Sequence, residues 1–107
     1  MANAVTDIES LHSFAEFYPF YLSEHRNVTC RRLHFVGSSL VLGCIVAALA
    51  TSNGWWLLGA PLAGYGFAWL GHFLFEHNRP ATFQYPLYSL VGDWVMYRDM
   101  LIGRIPF

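Results

Sequence analysis

The sequence predicts an all-α integral membrane protein. Its centre is a helical hairpin of two transmembrane helices, with an N-terminal amphipathic helix before it and a C-terminal interfacial or re-entrant helix after it. Three observations carry that expectation. Leu33 to Ala50 and Trp55 to Phe75 are apolar runs of 18 and 21 residues whose only acidic or basic side chains are His34 and His72. Roughly 20 apolar residues cross a bilayer core. The 107 residues are 55% hydrophobic, 18% aromatic and 12% charged, about half the charge of an average soluble domain. A chain this short could hardly bury two such helices in a soluble core. It is read as one membrane-embedded domain over residues 1–107, with spans at about 33–50 and 55–75.

The elements follow in order. Thr6-Asp7-Ile8-Glu9 reads as a capping box with Thr6 as N-cap. Ile8, Leu11, Ala15, Tyr18 and Leu22 then keep helical spacing, as in an amphipathic helix on a membrane surface. Pro19 is expected to bend or break it near Tyr18, and His12 reads as a surface histidine. Asn27 and Thr29 are candidate N-caps for the first span. Thr51 to Gly54 forms a short turn, and Trp55 and Trp56 suit an interfacial belt. Ala60, Gly64, Ala68 and His72 recur every four residues, a stripe of the kind that lets membrane helices approach closely. Asn78-Arg79-Pro80 stops the second helix. The stretch from Phe83 to Tyr97 is short and interrupted by Pro86, Gly92 and Asp93. It reads as interfacial or re-entrant, with Leu87, Leu90, Val91, Trp94 and Val95 on its apolar side.

Arg26, Arg31, Arg32 and Arg79 gather at the open end of the hairpin, which makes that end cytoplasmic by the positive-inside rule. The first residues lack the basic region of a cleaved signal peptide. A net charge of −1 offers nothing for nucleic acid. Cys30 and Cys44 form no CxxC, so no disulfide framework is implied. The membrane is read as a bacterial inner membrane, or the endoplasmic reticulum membrane in a eukaryote.

Four of the five histidines mark a site. His34 and His72 lie 19 residues on either side of Asn53, so the hairpin brings both to one depth, with His25 and His77 just outside. Neutral imidazole is the commonest nitrogen ligand for iron, copper and zinc. His72 and His77 on one continuous helix would point about 140° apart, so convergence needs breaks in both arms. The sequence offers such breaks at Asn27 and at Asn78 to Pro80. Glu24 and Glu76 read equally as partners that orient imidazole N–H groups, as ligating histidines require, or as solvated carboxylates beside arginine. Arg26, Arg32 and Arg79 could pair a substrate carboxylate. A lipid tail could lie along Phe35, Phe73, Phe75 or the Tyr18-to-Tyr21 segment. Asp93, odd in an apolar stretch, reads as a partner of Arg98 or Arg79, or else as a residue that serves the site, and pairing is the expectation. On these residues alone the reading stops at a membrane hairpin with a histidine metal site, a donor set that suits redox iron and leaves copper or catalytic zinc open; the alternatives are a metal enzyme and a non-enzymatic module that binds haem or a metal, or scaffolds a partner.

The segments FYPFYLSEHRNVTCRRLHFVGSSL and GYGFAWLGHFLFEHNRPATFQYPLYSLVGDWVMYRDML resemble the 2-hydroxy fatty acid dioxygenase family. The likeness covers about Phe14 to Gly103. It rests on the EHxN…LHxxG and GHxxxEHNxPAT blocks, the second carrying His72, Glu76, His77 and Asn78. The resemblance implies an Fe2+-dependent membrane enzyme of fatty acid α-oxidation. Its substrates would be a 2-hydroxy fatty acid and O2, its products the acid one carbon shorter and CO2, with no 2-oxoglutarate. By motif position His25, His34, His72 and His77 would hold the iron and carry catalysis, with Asn27 and Asn78 beside them. Membrane lipid is the surrounding partner, and a homo-oligomer is compatible with the sequence.

Overall fold

The computed structural model describes residues 13–107. The Thr6–Glu9 capping box, Ile8, Leu11 and His12 lie outside the described residues. Among these residues every regular element is helical: α1 Phe14–Ser23, α2 Val28–Thr51, α3 Gly59–Gly71 and α4 Pro86–Leu101. A 3-10 segment, Gly54–Leu58, enters α3, and a π-helical turn, His72–Glu76, leaves it.

Helix α1 starts at Ser13, whose side chain accepts from the Glu16 N–H at 3.2 Å, satisfying an orphan donor of the first turn. Pro19 does not break it. The helix runs on to Ser23, because Phe17 and Tyr21, both fully buried, fasten it to the rest of the chain on either side of the proline.

Asn27 caps α2, its Oδ1 accepting from the Cys30 N–H at 3.1 Å. The helix ends at Ser52, whose left-handed backbone (φ 54°) turns the chain. At 24 residues α2 is long and apolar enough to cross a membrane. Among the described residues it alone meets that test, because the second apolar run is divided into 3-10, α and π segments. The divided run still folds back along α2 as an antiparallel partner. A Cβ on Gly71 would meet Cys30, one on Gly37 would meet Ala63 and Phe67, and one on Gly59 would meet Cys44. The outward faces of the pair are apolar and bare: Leu49 is 77% and Leu62 76% exposed. Exposed apolar surface of this extent marks a side that faces a membrane or a protein partner.

The packed core lies instead at the open end of the hairpin. Phe17, Tyr21, Ala81, Met96 and Met100 are buried together between α1 and α4. Pro86 opens α4 at its first turn, where its missing N–H costs nothing, and Gly92 and Asp93 are carried inside the helix rather than interrupting it. Of the expected apolar side, Leu87, Leu90 and Val91 face outwards, while Ser89, Gly92, Met96, Asp99 and Met100 are packed. The small and polar face is turned inwards because α1 supplies partners for it. The Tyr18 hydroxyl donates to Asp99 Oδ2 at 2.8 Å, and the Tyr21 hydroxyl donates to Asp93 Oδ1. Gly92 makes room for this, since a Cβ there would stand 3.0 Å from the Tyr21 ring.

Candidate metal centre

Three histidines from three local structures meet beneath this core. His25 follows α1, His34 lies one turn into α2 after Cys30, and His72 opens the π-helical turn. Their exposures are 1%, 5% and 2%. One nitrogen of each ring lies within 4.8 Å of those of the other two. His25 Nε2 and His34 Nε2 are 3.1 Å apart, and the three rings stand edge to face with centroids 4.4–5.0 Å apart.

The outer nitrogens explain this convergence. His25 Nδ1–H donates to the Tyr21 carbonyl at 2.6 Å, and His34 Nδ1–H donates to the Cys30 carbonyl at 3.0 Å. His72 Nδ1–H donates to Asn78 Oδ1 at 2.7 Å. The Asn78 orientation is set independently, because its amide donates to the Glu24 carbonyl at 3.2 Å and to Glu24 Oε2 at 3.3 Å. Each ring therefore spends its one proton outwards and keeps a lone pair on Nε2. Facing lone pairs 3.1 Å apart repel unless a cation stands between them. Imidazole–metal bonds of about 2.1 Å at right angles place two nitrogens about 3.0 Å apart. These residues fit a divalent ion, each ligand having the outer partner that orients it. Burial first, then the neighbouring His34 and His72, holds His25 well below the ordinary imidazole range. It is neutral near pH 7, the form that ligates.

The two glutamates lock the arms together. Glu24 acts on His72 through Asn78, and burial pushes its carboxyl above the usual range. Glu76 Oε2 accepts the Asn27 N–H at 2.6 Å, pinning the end of the π turn to the start of α2, where a negative charge is favourable. Replacing Asn78 by Ala frees the His72 Nδ1–H. The expected result is metal affinity about 10- to 100-fold weaker, measured by competition with a chromogenic chelator. Unaltered affinity would refute the hold that Asn78 exerts.

His77, expected as a fourth member, is not brought to this point. It is exposed and takes a left-handed backbone, φ 59°. Its role is in the backbone: the His72 carbonyl accepts from the N–H groups of both His77 and Asn78, the latter at 3.1 Å. That reversal is what swings the Asn78 side chain back onto His72. The arginines also take structural places. Arg31 donates to the carbonyls of His25 and Arg26 at 3.2 and 2.9 Å, clamping the loop that carries His25. Arg32 lies over the Phe107 ring and Arg79 over the Phe83 ring, while Arg26 is exposed.

Asp93 does not pair with Arg98 or Arg79. Arg98 pairs with its neighbour Asp99 at 3.0 Å. Asp93 takes the Tyr21 hydroxyl instead, and burial pushes its carboxyl up to about 6. It also lines a cleft of about 190 Å³ between α2, α3 and α4, which reaches the imidazole cluster at His34. The sequence offers Asp93 a place at the site only as the second choice to an arginine pair, and Tyr21 only as part of a lipid-facing segment; it does not join the two. The signal available was an ionisable group in an apolar stretch, but its partner lies 72 residues away.

A family model described as 2-hydroxy-palmitic acid dioxygenase Mpo1-like matches residues 11–105, nearly the whole chain. No curated protein and no solved structure matches it.

Proposed function

The chain belongs to the 2-hydroxy-palmitic acid dioxygenase Mpo1-like family, and on that premise we propose that it is a membrane-embedded non-haem iron(II) enzyme. It converts a 2-hydroxy fatty acid and O2 to the fatty acid one carbon shorter and CO2. The observation that carries this reading is the trio His25, His34 and His72, three neutral imidazoles turned nitrogen-inwards with every outer proton committed. An imidazole set without thiolates suits redox iron better than a structural zinc. Rings packed edge to face with two nitrogens 3.1 Å apart leave no plane for a haem between them.

The iron, when bound, supplies the redox chemistry through which O2 reacts with the hydroxy acid. The chain's own residues do the rest. His25, His34 and His72 hold the ion, and Tyr21, Cys30 and Asn78 fix the ring orientations. The aromatic packing of α1 and α4 above the cluster keeps water out. The overall reaction balances as R–CHOH–COOH + O2 → R–COOH + CO2 + H2O. The substrate supplies all four electrons that O2 accepts, so no co-reductant is required. The bare leucines of α2 and α3 support two spans in lipid, with the imidazole end at the cytoplasmic boundary beside the arginines.

Detergent-purified protein is expected to carry about one iron per chain and no Soret band. With 2-hydroxypalmitate in air it should release one CO2 per O2 consumed, without added 2-oxoglutarate, and stop under anaerobic conditions. Metal-loaded protein that leaves the hydroxy acid intact would overturn the reading.

A further inference from the structure

The stripe Ala60, Gly64 and Ala68 does more than let two helices approach. All three residues line the cleft of about 190 Å³ together with His34 and Val41 of α2 and Asp93 of α4. At Gly64 the two helices touch, since a Cβ there would stand 3.2 Å from Val41 Cγ2, and the open space lies beside that contact, walled by the small residues. It begins at a metal-site histidine and runs along the hairpin: Val41 lies seven residues beyond His34, about 10 Å at 1.5 Å per residue. The inner end has a built polar group. Asp93 Oδ1 accepts from the Tyr21 hydroxyl, and the Asp93 carboxylate, an acceptor at two oxygens, lines the cleft. Tyr21 also stacks on His25, with ring centroids 4.0 Å apart. The acceptor in the cleft and the imidazole cluster are therefore held by one side chain.

We propose that this cleft seats the carboxyl-proximal part of the substrate's acyl chain, with the 2-hydroxyl donating to Asp93 and the chain running past Ala68 and Gly64 to Ala60. The inference rests on the iron-enzyme reading and adds to it the path of the substrate. An apolar cavity of about 150 Å³ takes up benzene, so 190 Å³ accommodates roughly eight carbons. The remaining tail of a long acid lies in lipid, past the exposed Leu90 and Pro61. Lipid is as apolar as the cleft wall, so moving the chain into it changes little in hydrophobic energy. What the cleft supplies is orientation. It presents carbon 2 to the imidazole end and fixes which way the chain leaves.

Two readouts test this. The first is binding: 2-hydroxypalmitate carrying a diazirine near carbon 8 is photolysed with the purified protein. Label is expected on the peptides containing Val41 and Ala60, and it should be lost in Ala60→Leu and in Val41→Phe, which fill the same end from opposite helices. Label spread over the outward leucines, Leu49 and Leu62, and unchanged in both variants would overturn the proposal. The second is turnover. Ala60→Leu should lower kcat/KM for 2-hydroxypalmitate by about tenfold or more while sparing 2-hydroxyhexanoate, with iron content as the check on folding. Asp93→Asn should reduce the preference for 2-hydroxypalmitate over palmitate as the bound ligand, and an unchanged preference would overturn the hydroxyl contact. A wild-type protein that labels in the cleft but turns over neither acid would sink the enzyme reading and leave the lipid seat standing. Active protein with an unaltered chain-length profile in both filling variants would do the reverse.

Discussion

Replacing His72 by Ala is expected to remove bound iron and turnover together, and this is the largest single effect the site predicts. The substitution deletes one of three inward nitrogens. It also leaves Asn78 Oδ1, which had accepted the ring proton at 2.7 Å, without its donor. His25 and His34 remain as a pair 3.1 Å apart, two donors where the site had three. Iron content by elemental analysis should fall to background. Activity should not return with excess iron, whereas Asn78→Ala should recover as iron is raised, because only affinity is lost there. His77→Ala provides the contrast. That side chain is exposed and outside the cluster, so the variant should keep about one iron per chain. Loss of iron in it would restore a four-histidine centre. Retained iron in His72→Ala would count against any site built on these rings.

Gly71→Val should damage the centre without touching a ligand. A Cβ at Gly71 would stand 2.9 Å from Cys30 Sγ and 3.2 Å from Cys30 Cα. The second of these is backbone and cannot turn aside, so α2 and α3 must separate. Cys30 carries the carbonyl that orients His34, and Gly71 directly precedes His72. The separation therefore opens the cluster from both arms at once. Overpacking of this kind costs about 1–3 kcal/mol. The expected outcome is loss of iron with a thermal midpoint lowered by several degrees. Gly43→Ala is the matched control: nothing lies within 4 Å of a Cβ there, and alanine favours a helix interior by about 0.5–1 kcal/mol. That variant should be as stable as the parent or more so. If the two glycine variants behave alike, close approach at Gly71 is not what holds the rings together.

Local chemistry was readable wherever one short stretch contains the whole cause. Asn27 caps α2, and the turn at Ser52 and Asn53 divides the two apolar runs, each because nearby side chains and backbone dictate the conformation. Pro86 reads as an interruption and instead opens α4. Equal spacing of His34 and His72 about Asn53 likewise anticipated that they share a depth. Pro19 did not break its helix because burial of Phe17 and Tyr21 outweighs one lost backbone bond. His77, expected to converge through a break at Asn78 to Pro80, does not, because the chain leaves the α-helix earlier, at His72. The π turn and the left-handed residue after it send Asn78, not His77, towards His72.

What the sequence determined by itself is the material: which segments are apolar, which residues cap and turn them, and which imidazoles stand at their ends. What the tertiary structure alone decided is their facing. A helix in water shows its inner side by being apolar there and polar elsewhere. Val36, Leu40 and Leu49 of α2 are apolar and bare, so hydrophobicity around that helix carries little phase. The inward side is picked out by close approach at glycine and by polar pairs such as Tyr21 with Asp93 and Tyr18 with Asp99, which bridge 72 and 81 residues. Those contacts exist only after the helices have packed, so no local pattern could announce them.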